Sequence, residues 1–316
     1  MYNQPKENYY AFAFGLQIES EWPLPELIHA EEAKKADVTI KVSDLTNEWE
    51  RHEKECNLVI TKGIVMFKID HTATYLVKGG HTIVVSPEVM ADERKVRLFL
   101  LGTCMGIILM QRNILPLHGS AILINGQVYA IVGDSGAGKS TLASALIKQG
   151  YRLLSDDVIA VSLDEDNVPI VSPAYPQQKL WQKSLDYFGE KSDRYSSIFA
   201  KETKYAVPVH EYFHTEPQSL AGVFELTLKK NGKVRLSEVE SLDRFRLLGE
   251  HTYRQYLLEP LGLLEWHFTM ISRLLRNARV FRIERPENEF TAPIIMKEME
   301  RMIVKEDCYE SEKRFV

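Results

Sequence analysis

The stretch Gly133-Asp134-Ser135-Gly136-Ala137-Gly138-Lys139-Ser140-Thr141 constrains this chain more than any other feature. It satisfies G-x-x-x-x-G-K-[ST] at every fixed position. Small residues there let backbone amides approach an anion with no Cβ in the way. The run before it, Gln127 to Val132, is apolar and strand-like. The run after it carries Leu142, Ala145 and Leu146 at helical spacing and stops at Gly150, a fitting residue just past a helix end. Strand, glycine loop and helix together make a phosphate cradle, because the helix N-terminus adds partial positive charge. Lys139 is then expected to reach the β- and γ-phosphates of a nucleotide, and the Ser140 hydroxyl to ligate Mg²⁺. All residues from 133 to 141 are candidate nucleotide contacts.

Two further features sit close to this loop in sequence. Arg152 to Ser155 read as a short strand that ends at Asp156-Asp157, with Val158 to Val161 continuing apolar. One carboxylate there can hold or orient Mg²⁺. A second is more than nucleotide hydrolysis needs and suits a general base that takes a proton from an attacking hydroxyl. His118, in Leu117-His118-Gly119-Ser120, precedes the apolar run that feeds the loop and can hydrogen-bond one of the two carboxylates.

The surrounding pattern is α/β with a mixed sheet. Ser120 to Ile124 and Gln127 to Val132 flank Asn125-Gly126, the strongest short hairpin signal, because both residues tolerate positive φ. Asn231-Gly232 predicts a second hairpin, between Val223–Leu228 and Lys233–Leu236. Helical stretches are expected over Asp92–Arg112, Tyr253–Asn277 with a break near Pro260, and Pro293–Val304. Residues up to about Pro87 read as β-rich: Val38–Val42 alternates, Asn57–Phe67 and Thr72–Val77 favour strands, and Gly79-Gly80 marks a turn before Thr82–Val85. The expected division is a β-rich part over 1–90 and a catalytic domain over 91–316.

Composition narrows the function classes. With 39 Lys plus Arg against 44 Asp plus Glu, the net charge of −5 disfavours sequence-independent nucleic-acid binding. Cys56, Cys104 and Cys308 are sparse and contain no C-x-x-C, so neither a disulfide framework nor a zinc site is expected, and a reducing cytoplasm fits. Met1 to Tyr10 is too polar for a signal peptide, and Leu98–Met110 is too short to span a bilayer, so no membrane role is expected.

The stretch from His118-Gly119 through the glycine loop to Leu154-Ser155-Asp156-Asp157 resembles the catalytic domain of the bacterial HPr serine kinase/phosphorylase family. The resemblance implies a P-loop kinase domain of HPr-kinase type that uses ATP and Mg²⁺ on a serine of a peptide or small protein. It implies that His118 and Asp156 cooperate to activate that serine, and that Ser140 and Asp157 sit near the metal. It leaves a homo-oligomer open. The chain lacks the family's downstream Gly-rich signature, and its N-terminal part differs from the family's regulatory domain. It therefore looks more like the divergent HPr-kinase-like proteins of clusters for ribosomally made peptides. Those that accompany lasso peptides phosphorylate the C-terminal serine of the linear precursor. Pro176–Trp181 and Lys204–Pro208 look like further elements of that group.

Other signals compete. His210-Glu211-Tyr212-Phe213-His214 matches H-E-x-x-H, but Pro208 and Pro217 leave little room for the helix a zinc protease needs, so a loop or short helical turn is expected. Arg273, Arg276, Arg279, Arg282 and Arg285 recur every third residue. They read as a solvated helix face running into a strand, or as a basic surface for an acidic leader, a carboxylate or transferred phosphates. Lys179 and Lys204 read as surface, with phosphate or peptide contacts as the other choice. Trp181, Tyr187 and Phe188 read as packing residues. Two alternatives to a peptide kinase stand beside it: a nucleotide-hydrolysing switch without an acceptor, and a small-molecule kinase.

Overall fold

A computed structural model of the chain describes residues 8–31, 35–52, 57–199 and 202–313. Cys56 and residues 1–7 of the N-terminal segment lie outside the described residues, as does the side chain of Cys308, whereas Cys104 is buried. Among the described residues the architecture is mixed α/β, with three sheets.

The first sheet holds β1 (Tyr9–Ala13), β2 (Leu16–Ser20), β3 (Ile28–His29), β4 (Val38–Val42), β5 (Leu58–Thr61), β6 (Ile64–Ile69), β7 (Ala73–Lys78) and β8 (Thr82–Pro87). Gly79 and Gly80 both take positive φ and join β7 to β8, as their pairing in sequence predicts. A short helix α1 (Thr46–Glu50) lies between β4 and β5, and a helical segment buried from Leu100 to Met110 follows the sheet: α2 (Glu93–Phe99), a π-helical turn over Leu100–Cys104, and α3 (Met105–Gln111). The Asp92 side chain caps α2 by accepting from the Arg94 amide. The π turn interrupts a helix whose apolar spacing reads as regular. The segment packs on the first sheet, and its core extends to Val158, Ala160, Tyr175, Leu257 and Leu258 farther along the chain.

The second sheet carries the phosphate loop. Its order is β10-β9-β11-β12-β16-β18-β17, with an added parallel pairing of β10 to β16. The strands are β9 (Leu115–Ile124), β10 (Gln127–Gly133), β11 (Arg152–Leu163), β12 (Pro169–Ser172), β16 (Gln218–Lys229), β17 (Arg235–Glu238) and β18 (Arg279–Pro286). Asn125 and Gly126 have φ of 50° and 80°, the primed turn that the sequence predicts between β9 and β10.

The second Asn-Gly does not make a hairpin. β18 lies between β16 and β17, parallel to the first and antiparallel to the second. Asn231 does not adopt the positive φ a primed turn needs. Val280, Phe281 and Ile283 of β18 are fully buried, and seating that apolar strand mid-sheet outweighs a local turn preference. β11 is also longer than expected, running unbroken through Asp156-Asp157 rather than ending there.

Helix α4 (Lys139–Lys148) follows the loop. A small third sheet joins β13 (Gln177–Trp181), β15 (Glu202–Pro208) and β14 (Ser196–Phe199) in that spatial order, with α5 (Gln182–Tyr187) beside it. The C-terminal helices are α6 (Leu242–Glu250), α7 (Leu264–Asn277) and α8 (Ala292–Lys313); residues 253–263 form turns before α7 rather than the start of a long helix. Among the described residues no helix is long and apolar enough to cross a membrane.

Candidate active site

The loop is built by close backbone approach. A Cβ on Gly133 would fall 2.4 Å from the Leu226 carbonyl oxygen, and its φ of 143° lies in glycine territory. Gly136 opens to empty space at its Cβ position, which leaves the cradle clear. Lys139 opens α4, and its ammonium folds back onto the carbonyls of Gly133 (2.7 Å) and Asp134 (3.1 Å). Burial pushes its pKa down, against the pull of Asp156 and Asp157. Arg285 Nε donates to the Ala137 carbonyl at 2.8 Å, fastening the loop to β18.

Strand register brings the remaining groups to the loop. Asp156 pairs across from Ser120, Asp157 from Gly119 and Val158 from His118, while Val132 pairs with Gly119 from the other side. Adjacent residues of a regular strand point to opposite faces. Asp157 has φ of 78°, a left-handed conformation rare for a side-chain-bearing residue, and both carboxylates line one cavity.

That cavity, of about 690 Å³, is bounded by Ser135, Gly136 and Gly138–Thr141 on one side and by His118, Asp156, Asp157 and Lys179 on another. Trp181, Tyr187, Lys204, Arg285 and residues 287–292 also line it. Asp134, Gly133 and Ala137 belong to the loop but do not line the cavity, and Ala137 is buried.

The hydrogen bonds pair the two acids differently from the expectation. Asp156 Oδ1 accepts from Ser120 Oγ (2.5 Å) and Ser140 Oγ (3.2 Å), and its Oδ2 accepts from the Lys179 amide (2.8 Å). Ser140 thus joins Asp156, not Asp157. His118 joins Asp157: its Nδ1 lies 2.9 Å from the Asp157 carbonyl oxygen and 3.6 Å from Oδ1. Asp157 Oδ2 also receives the Lys179 ammonium at 2.5 Å.

The two acids have opposite electrostatics. Burial raises the Asp156 pKa, with the Ser120 and Lys179 hydrogen bonds only partly offsetting it. Burial also works against ionised Asp157, but the Lys179 ammonium and His118 outweigh it and hold this carboxyl well below the ordinary range. His118 is pushed down by burial, so its imidazole is neutral near pH 7. A carbonyl can only accept, so Nδ1 carries the ring proton and Nε2 is left as an acceptor.

Several partners escape a reading of the sequence. Ser120 is one. Lys179 is another: it is 5% exposed, not a surface residue, and it contacts both acids. The arginine series splits. Arg279 pairs with Glu238 and Arg282 with Glu225, and only Arg285 reaches the loop. The H-E-x-x-H segment forms a short 3-10 turn over His210–Tyr212, as the flanking prolines predict, and among the described residues no three metal-ligating side chains gather.

Residues 110–180 match the family model for the HPr Serine kinase C-terminal domain. This segment is of the HPr-kinase type. It is 40% identical over 70 residues to the HPr kinase/phosphorylase of Mycoplasmopsis pulmonis, an overlap of 22% of this chain and 23% of that one. The corresponding protein of Levilactobacillus brevis is 43% identical over 58 residues, covering 18% and 19%. The chain thus spans less than a quarter of the length of these curated relatives. A solved structure of the Hpr(Ser) kinase/phosphatase from Coxiella burnetii covers 63% of this chain and 97% of that one, at 16% identity and a TM-score of 0.35. The HPr-kinase-type segment holds His118, the loop, both acids and Lys179. Lys204, Arg285 and residues 287–292 of the cavity wall lie outside it.

Proposed function

We propose that this chain is an ATP- and Mg²⁺-dependent kinase that transfers the γ-phosphate to a serine hydroxyl of a peptide or small protein, with a ribosomally made, lasso-type precursor as the acceptor. The observation that carries the reading is the convergence of the glycine loop, two carboxylates of opposite electrostatics and a neutral histidine on one cavity. A hydrolase needs a nucleotide site and a positioned water. A second, acceptor-facing acid–histidine pair suits a hydroxyl.

Ser135, Gly136 and Gly138–Thr141, the part of the loop that lines the cavity, hold the polyphosphate through backbone amides and the Lys139 ammonium. The hydroxyl of Ser140 and the Oδ1 of Asp156 are hard oxygen donors 3.2 Å apart, the donor chemistry that Mg²⁺ takes from protein when phosphates supply the rest. When bound, Mg²⁺ supplies charge neutralisation on the phosphates. Asp157 and His118 face the acceptor. His118 Nε2 takes the serine proton, its tautomer set by the Asp157 carbonyl, and ionised Asp157 stabilises the imidazolium that forms. This exchanges the acid roles that family resemblance alone implies, because the hydrogen bonds of Ser140 and His118 favour the exchange. Lys179 keeps Asp157 ionised.

The test is incubation with labelled ATP, Mg²⁺ and the peptide encoded beside the gene, followed by mass spectrometry. A gain of one phosphate on a serine is expected. His118→Ala should lower transfer by about 10²-fold or more while leaving nucleotide affinity intact, and Lys139→Ala should weaken nucleotide binding. ATP consumption with no phosphorylated peptide would refute the kinase reading in favour of a hydrolysing switch.

A further inference from the structure

A second cavity, of about 320 Å³, opens on the far side of Lys179. It lies between α2 and the face of the small sheet formed by β13, β14 and β15. Lys179 lines both cavities. The wall between them is therefore the residue whose amide holds Asp156 and whose ammonium holds Asp157. Anything seated in the second cavity is one side chain away from the acid pair.

The chemistry of this cavity is specific. Arg94, Arg97 and Arg194 reach it from α2 and from the turn before β14, against the single carboxylate of Glu26. Arg97 is committed to Glu26 Oε1 at 2.7 Å. Arg94 pairs locally with Asp92 on the exposed first turn. The Arg194 guanidinium makes no hydrogen bond to a described residue. Glu26 Oε2 is buried and has no hydrogen-bond partner. An unpaired buried acceptor calls for an N–H, and a planar guanidinium fork matches a carboxylate. His210, from the segment that matched H-E-x-x-H, completes the rim.

We infer that this second cavity is a subsite for the acceptor peptide, taking a carboxylate of the chain near the phosphorylated serine on Arg194 and Arg94, and a peptide N–H on Glu26. The inference rests on the kinase reading for its role, but not for its test. The carboxylate comes from an acidic side chain or from the peptide's own C-terminus; both present a carboxylate next to backbone N–H groups. Inorganic phosphate offers no N–H, and Glu26 repels a dianion. The assignment gives the N-terminal part a substrate-binding task, since Glu26, Arg94 and Arg97 all precede the HPr-kinase-type segment.

The experiment is fluorescence anisotropy with the full chain and four labelled Ala/Gly decapeptides, each carrying one serine. One has a free C-terminus, one an amidated C-terminus, one is amidated with Glu beside the serine, and one is amidated with Gln there. At least one carboxylate-bearing peptide should bind tenfold or more tighter than the carboxylate-free pair, and which one does so identifies the source. Arg194→Glu should abolish that preference, and Arg94→Glu, on an exposed helical turn, should reduce it in the same direction. Inorganic phosphate at millimolar concentration should not displace the peptide. Equal binding of all four, no binding of any, or a preference untouched by both charge reversals overturns the subsite. Because binding is read without ATP, these outcomes are separate from absence of phosphate transfer, which would instead sink the kinase reading.

Discussion

Lys179 carries an unusual share of the site. Its ammonium is buried and its partner Asp157 nearly so, with side-chain exposures of 7% and 18%. Two charges in that position tolerate burial only as a pair. Lys179→Met should cost about 3 kcal/mol, because it strands an ionised carboxylate, and the double variant Lys179→Met/Asp157→Asn should recover at least half of that loss. Urea midpoints of the wild type, Lys179→Met, Asp157→Asn and the double variant check this; additive losses would show that the pair is uncoupled. The same neighbourhood sets a pH dependence. Burial depresses His118 below its ordinary 6.5, and in the proposed mechanism its neutral form is the proton acceptor. The acid limb of transfer should therefore have its midpoint below pH 6.5, falling about tenfold per unit beyond it. Asp157, held ionised, does not titrate in that window. A rate profile whose acid limb has its midpoint above pH 6.5 would remove His118 from the role.

At the scale of elements, the sequence is readable where local turn chemistry decides and opaque where burial decides. Asn125-Gly126 and Gly79-Gly80 close hairpins because their positive φ angles have no competitor. Asn231-Gly232 fails because β18 inserts between the strands it would join. The loop from Gly133 to Ser140 is legible because backbone approach to phosphate leaves little choice of residue. The pairing of the acids is not legible. It depends on the register of β9 against β11 and on the left-handed turn of the backbone at Asp157, and neither leaves a mark in composition or spacing. Lys179 is missed for a related reason: a strand lysine is ordinarily solvated, and only a partner 22 residues earlier in the chain accounts for its burial.

At the scale of the whole molecule, one hydrophobic cluster bridges the two large sheets. Val96, Leu100 and Ile107 of the buried helical segment cluster with Ile18, Ile40 and Val85 of the first sheet, and also with Val158 and Ala160 of β11. We propose the division near residue 90 as a boundary in topology, not in packing. Denaturation followed by tryptophan fluorescence, with Trp22 and Trp49 reporting on the first sheet, and by far-UV circular dichroism should give one coincident transition. Two separated midpoints would show that the halves unfold independently. β11 pairs with β9 from Arg152 to Val161, through both acids, and with β12 from Ala160 to Leu163. On the proposed kinase reading, the carboxylates of Asp156 and Asp157, paired across from Ser120 and Gly119, are the stationary partner of the transfer. On that reading the acceptor is therefore brought to the acids, past a rim that includes Trp181, Tyr187 and residues 287–292, and the acids do not travel to it.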